Sequence, residues 1–452
     1  MKVRNTARER LENGEMSLGV GIRTARTVDI AKMMKTAGYD WLFIDLEHGP
    51  MSIEFATTLA VAALDTGISP IVRVPFMEHS MATRVLDNGA LGIVMPHVDT
   101  AEQAREIVDH LKYPPVGHRS LAGAQAIFDF QRIPIAEMIE SANAALLVIA
   151  VMETPTAIAN GQLKVQRERG TDLTIFSPRA AGMGHHLGDA TTSEAWASAC
   201  NELIHRVCSL FPKNFIGVAM LPQRARVSPK NCVPEIDRCV NQYGFVGVNL
   251  NPDPSGGHWQ DPPLGDRYWY PVYEKMVEYD IPAMIHVSAS CNPTHHTTGA
   301  HYLNGDTAGF NQLMTSSVFK DFPTIKFIIP HGGGAVPYHW GRYRGLAQDA
   351  KLGLLSDVML KNVFFDTCVY HLPGQELLAK VIPVDNILFA SEMIGAVRGI
   401  DPETGHHYDD TKRYIDQLAL PAEDKAKIFE GNARRVYGRL SGTIEKGSAG
   451  MV

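Results

Sequence analysis

Three polar residues in the C-terminal two thirds of the chain stand at the ends of apolar runs. They are His286 in MIHVS (284–288), His331 in IIPHGGG (328–334) and Glu392 in LFASEM (388–393). Imidazoles and a carboxylate on successive strand ends suit Zn²⁺, with one position left open for water. A metal ion there would lower the pKa of that water towards about 7. Arg179 and Arg398 each follow a strand end. Two guanidinium groups facing a metal pocket suit a polycarboxylate substrate, and surface ion pairs are the competing reading. His185 and His186 in MGHHLGD lean towards a structural or supporting role. HGGG resembles an oxyanion-hole tetrapeptide, but no G-x-S-x-G follows it, which argues against a serine hydrolase.

A second set lies in the first third. WLFIDLE (41–47) runs into Asp45, Glu47 and His48, PIVRVP (70–75) carries Arg73, GIVMPHV (92–98) carries His97, and ALLVIAVME (145–153) ends in Glu153. A base, a guanidinium and a carboxylate converging at strand ends could bind and enolise a 2-oxo acid at a metal ion. Arginine would hold the acid in a bidentate pair, and the metal would polarise the carbonyl. The competing reading is that these polar residues only cap the sheet.

The elements that must position both sets alternate along the chain. Apolar runs at 17–22, 41–47, 70–75, 92–98 and 145–153 are separated by amphipathic segments such as 27–38 and 101–113. Seven further runs follow at 172–178, 215–222, 245–252, 282–288, 326–332, 363–368 and 386–392. Runs that are apolar throughout fit parallel strands covered on both faces, and strand–helix–strand repetition gives an α/β fold. One closed (β/α)₈ barrel takes eight strands. Five before about residue 155 and seven after it are too many for one barrel and too few for two. NPDPSGGHW (251–259) and HTTGAHYLN (296–304) read as loops, and residues 442–452 as a frayed tail.

Composition excludes several classes. The 452 residues are 45% hydrophobic and 20% charged, which is ordinary for a globular protein. With 42 Lys and Arg against 49 Asp and Glu, the net charge of −7 argues against a nucleic-acid partner. The longest apolar run, 144–152, is too short for a membrane helix and reads as a buried strand. The first residues have no apolar signal segment. Six cysteines without a C-x-x-C pair read as buried reduced thiols in a cytoplasmic protein.

Residues 1–158 resemble the first part of the class II 2-oxo-acid aldolases of the HpcH/HpaI (aldolase/citrate lyase) type. The resemblance rests on DWLFIDLEHGP, PIVRVP, GALGIVMPHVDTAEQAR, YPPVGHRS and METPTAIAN. It implies a partial aldolase-type (β/α) barrel. There His48 is the base, Arg73 binds the pyruvyl group and Glu153 is a ligand for Mg²⁺ or Mn²⁺. Ala180 stands roughly where that family's second metal ligand, an aspartate, belongs.

Residues from about 161 to 441 resemble the 4-oxalomesaconate hydratases, in the ACMSD-like branch of the amidohydrolase superfamily. The carrying stretches include RGTDLTIFSPRA, NLNPDPSGGHW, TTGAHYLN, PHGGGAVPYHWGRYRG, FFDTCVYH and PVDNILFASEMIGAVRGIDPETG. The resemblance implies a TIM-barrel (β/α)₈ fold over 159–441 and a zinc lyase of protocatechuate/gallate 4,5-cleavage catabolism. That lyase adds water to 4-oxalomesaconate, giving 4-carboxy-4-hydroxy-2-oxoadipate. His286 and Glu392 would ligate zinc, and His331 and Glu392 would be catalytic. Arg179, Tyr302 and Arg398 would face substrate carboxylates. That family begins with a strand carrying H-x-H, two further zinc ligands, and this sequence contains no H-x-H.

These readings predict that strand 145–153 replaces the absent first strand, pairs beside 172–178, and brings Glu153 to the metal with His286 and Glu392. Alternatives are an amidohydrolase-superfamily decarboxylase or hydrolase, a bifunctional hydratase–aldolase, and a catalytically dead fusion. The partner expected is a small polycarboxylate, with no nucleic acid and no membrane, in a homo-oligomer.

Overall fold

The computed structural model describes residues 3–13, 15–292, 300–393, 397 and 399–449. The chain divides into two compact units, residues 1–161 and 162–452.

The first unit is a parallel sheet in chain order: β1 (Gly19–Ile22), β2 (Trp41–Asp45), β3 (Ser69–Arg73), β4 (Gly92–Met95) and β5 (Leu147–Ala150). Its core joins Leu42, Ile44, Val72, Ile93 and Met95 to Ala56, Leu59 and Ala63 of the helix Ile53–Thr66. Ser52 caps that helix, and Gly67 ends it in the left-handed region. The helix Ala101–Leu111 starts in a capping box, with Thr100 and Gln103 each bonding the other's backbone N–H. β5 is only partly buried, unlike β3 and β4. The expectation of a buried strand at 144–152 is therefore corrected. β5 is the edge strand of its sheet.

The second unit is also parallel. β6 (Thr174–Phe176) pairs with β7 (Phe215–Gly217), and β8 (Ala219–Met220) follows β7 after one residue. From β8 the sheet runs through β9 (Val248–Leu250), β10 (Ala283–Ile285), β11 (Phe327–Ile329) and β12 (Val363–Asp366) to β13 (Ile387–Leu388). The last residue of β7 is closely packed. A Cβ on Gly217 would lie 2.2 Å from the Phe245 ring, so the backbone passes the ring where only glycine fits. β5 pairs with β4 and β6 with β7. The predicted pairing of 145–153 beside 172–178 is thus not formed among the described residues.

Three further expectations are corrected. TTGAHYLN is not wholly loop, because a helix spans Ala300–Met314, where His301, Tyr302 and Asp306 are buried. Its first three residues, 297–299, lie outside the described residues. The tail does not fray over 442–449, since a helix spans Leu440–Ala449 and packs Leu440 and Ile444 against Tyr437 and Leu388. The six cysteines are free as expected, but Cys291 is exposed and Cys200 and Cys208 are half-buried. No described helix is long and apolar enough to cross a membrane.

Candidate active site

The C-terminal ends of β10, β11, β12 and β13 bring one cluster together. His286 follows β10, and its backbone N–H bonds the Leu250 carbonyl at 2.9 Å. Its Nδ1 is buried with no hydrogen-bond partner among the described residues. His331 follows β11 and Glu392 follows β13, with φ of 53° and 52°. Two non-glycine residues held in the left-handed region are strained, as strand-end functional residues often are.

The helix Ala300–Met314 supplies two of the supports, one turn apart. Asp306 Oδ2 lies 2.7 Å from His331 Nδ1. That pairing orients the ring and turns Nε2 towards Glu392, whose Oε1 is 3.9 Å away. Tyr302 stacks on His331 (8° between planes) and meets His286 edge-on. Its hydroxyl is buried with no hydrogen-bond partner among the described residues. From β12, Asp366 accepts the backbone N–H groups of Gly332 and Cys368, each at 3.0 Å, tying the β11 and β12 loops. Cys368 Sγ lies 3.4 Å from Glu392 Oε2, which also accepts from the Tyr370 hydroxyl.

The electrostatics follow from this packing. Burial, with a smaller push from His331, lowers His286 to about 4. Burial raises Asp306 to about 6, against the pull of His331. Burial also opposes charge on His331, but Asp306 and Glu392 outweigh it and hold the imidazole well above its ordinary value. In Glu392 the opposing effect of burial is overcome by His331, Tyr370 and His286, which bring the carboxyl down to about 2. A neutral imidazole and an ionised carboxylate thus sit beside an imidazole that readily carries a proton. His286, Tyr302, His331, Cys368 and Glu392 line a cavity of about 1010 Å³, and Arg179 faces it too.

The donors fit a metal ion. One ligand atom each from His331, Cys368 and Glu392 lies within 4.8 Å of the others, and the unpartnered Nδ1 of His286 is a further buried nitrogen in the same cavity. Arg398 lies outside the described residues. His185 is structural: its Nε2 is 3.0 Å from the Leu221 carbonyl and its Nδ1 3.0 Å from Asn251 Nδ2.

His48, Arg73 and Glu153 belong to the first unit. Arg73 forks onto Asp45 at 3.0 and 2.6 Å and reaches Glu47 at 3.2 Å. Its guanidinium is thereby already bound to carboxylates. Glu153 accepts from the backbone of His97 at 3.0 Å and lies 3.2 Å from its ring Nδ1. Within the first unit, Glu153 closes a cluster with His97.

Sequence reasoning missed Asp306, Cys368 and Tyr370. Asp306 had one signal, its four-residue spacing from Tyr302, but that is readable only once 300–314 is known to be helical.

Parallel β/α repeats with nitrogen and oxygen donors gathered at the strand ends define a metal-type α/β enzyme. The amidohydrolase family profile matches residues 96–439, and the chain belongs to that family. Within it, the chain is 59% identical over 293 residues to the 2-keto-4-carboxy-3-hexenedioate hydratase of a Sphingobium species, covering 65% of this chain and 86% of the relative. The crystal structure of 4-oxalomesaconate hydratase from Rhodopseudomonas palustris superposes with a TM-score of 0.60 at 62% identity, over 65% of this chain and 84% of that one. The similarity to aldolases is partial. A 4-hydroxy-4-methyl-2-oxoglutarate aldolase from Hapsidospora irregularis is 37% identical over 149 residues, 33% of this chain, which spans about half (55%) of that relative.

Proposed function

We propose that the second unit is a metal-dependent hydro-lyase adding water to the carbon–carbon double bond of 4-oxalomesaconate. The observation that carries this reading is the strand-end cluster of His286, His331 and Glu392 in a chain 59% identical over 293 residues to a hydratase. His286 and Glu392 would hold the metal, and zinc is the ion their nitrogen and oxygen donors favour. When bound, the metal supplies a water that is acidic near neutral pH.

The chain's own residues do the rest. Arg179 and Tyr302 face the cavity and would take substrate carboxylates. Hydration forms one C–O and one C–H bond, so a proton must leave water and another must reach carbon. His331, held by Asp306 at Nδ1, would take the proton from water at Nε2 and deliver a proton to carbon.

The test is the loss of oxalomesaconate absorbance on incubation with the zinc-loaded chain. Turnover that falls by about 10²-fold or more in His331→Asn supports the reading. No turnover, or turnover indifferent to His331 and Glu392, overturns it.

No aldolase activity is proposed for the first unit: the chain spans only about half (55%) of the aldolase relative, and Ala180 stands where a second carboxylate ligand for Mg²⁺ or Mn²⁺ belongs.

A further inference from the structure

We propose that Cys368 is a thiolate ligand of the metal ion in this cavity, sharing it with Glu392. The inference rests on the metal reading above and deepens it. The relevant geometry is the contact between Cys368 Sγ and Glu392 Oε2, at 3.4 Å. Two ligands on one tetrahedral zinc, with bonds of about 2.3 Å to sulfur and about 2.1 Å to oxygen, stand about 3.5 Å apart. A plain hydrogen bond from thiol to carboxylate gives a similar spacing, so a second observation is needed.

Three features supply it. His331 stands beside this pair, its ring nitrogen within 4.8 Å of both donor atoms, as the acid–base group next to the metal. Around it the buried Nδ1 of His286 and the hydroxyl of Tyr302, a residue only 2% exposed, line the same cavity without a hydrogen-bond partner among the described residues. Asp366, finally, fixes the backbone of Cys368 through its N–H at 3.0 Å, so the sulfur is held in place by the β12 loop.

On binding, the S–H bond breaks, a metal–sulfur bond forms, and the proton goes to solvent. Tyr370, which touches both Cys368 and Glu392, keeps its bond to the carboxylate. A thiolate in the set has a consequence for selectivity. Sulfur favours zinc, cobalt or cadmium over Mg²⁺ and Mn²⁺, which prefer oxygen.

The experiment loads the full chain with Co²⁺ and records its absorption spectrum. A second cluster, His79, Glu106 and His110, offers a site without sulfur, so the background is His79→Ala with His110→Ala. The expected result is a near-ultraviolet sulfur-to-cobalt charge-transfer band above the visible cobalt bands. Cys368→Ser should remove the charge-transfer band and keep the visible bands, while Cys291→Ser should keep both. Visible bands without charge transfer overturn the thiolate ligand and leave the metal reading standing. No bound cobalt at all overturns both. Should Cys368→Ser fail to fold, cadmium NMR of the unsubstituted cysteine set decides. A resonance in the sulfur-ligated range supports the proposal, and one in the nitrogen and oxygen range overturns it.

Discussion

At the scale of single residues, the proposed reactive group is a pair. His331 carries its proton because Asp306 stands 2.7 Å from its Nδ1. A histidine raised in this way contributes stability that is fully present below its unfolded pKa of about 6.5 and lost as pH rises through the folded value. Asp306→Asn should therefore let His331 lose its proton at lower pH and shift the basic limb of the kcat/KM profile downwards. An unshifted profile would mean that Asp306 does not set the imidazole's charge. His185 has the opposite sign, because burial lowers it to about 4. Its stabilising contribution is present above pH about 6.5 and is lost as pH falls towards about 4, on the order of 3 kcal/mol when complete. Urea unfolding between pH 7 and 4.5 should show a shallower loss of stability in His185→Gln, measured against its own stability at pH 7. His286, His331 and Glu392 were legible in the sequence because each ends an apolar run. Asp306 and Cys368 were not, since their partners lie 25 and 24 residues away on other elements. Only the fold brings such pairs together.

At the scale of elements, every apolar run contains a strand, and the strands buried on both faces, such as β3, β4, β9, β11 and β12, write a continuous apolar signature. Pairing leaves no such mark. The run 145–153 suits either neighbour by composition, and it pairs with β4 through Gly92↔Leu147 to Met95↔Ala150. Helix edges were also poorly legible: the Gly, His and Asn content of 296–304 suggested a loop, yet packing of Tyr302 and Phe310 makes helix from Ala300 onward. Two substitutions test the element-scale reading. Gly217→Ala would drive a methyl group into the Phe245 ring and should destabilise the second unit by about 1–3 kcal/mol in denaturant unfolding. Thr100→Ala removes one half of the capping box of the helix Ala101–Leu111 and should cost the first unit about 1 kcal/mol. A neutral Gly217→Ala would mean the Phe245 ring does not press on the β7 backbone.

At the scale of the whole molecule, each unit has a hydrophobic core of its own. One is built on Leu42, Ile44 and Ile93, the other on Val248, Phe327 and Phe365. The proposed metal site draws all its donors from the second unit. A ligand that binds only the native state stabilises what it binds by RT ln(1 + [L]/Kd), about 2.7 kcal/mol at a hundredfold excess over Kd. Scanning calorimetry of the metal-free chain should therefore resolve two transitions, with a calorimetric enthalpy above the van't Hoff value for a single step. In the His79→Ala, His110→Ala background, which removes the other metal-capable cluster, zinc should raise one transition and leave the other unmoved. Glu392→Gln should abolish that shift while Glu153→Gln preserves it, because Glu153 is engaged with His97 in the first unit. A zinc shift lost in Glu153→Gln would return that carboxylate to the metal and overturn a donor set drawn from the second unit alone.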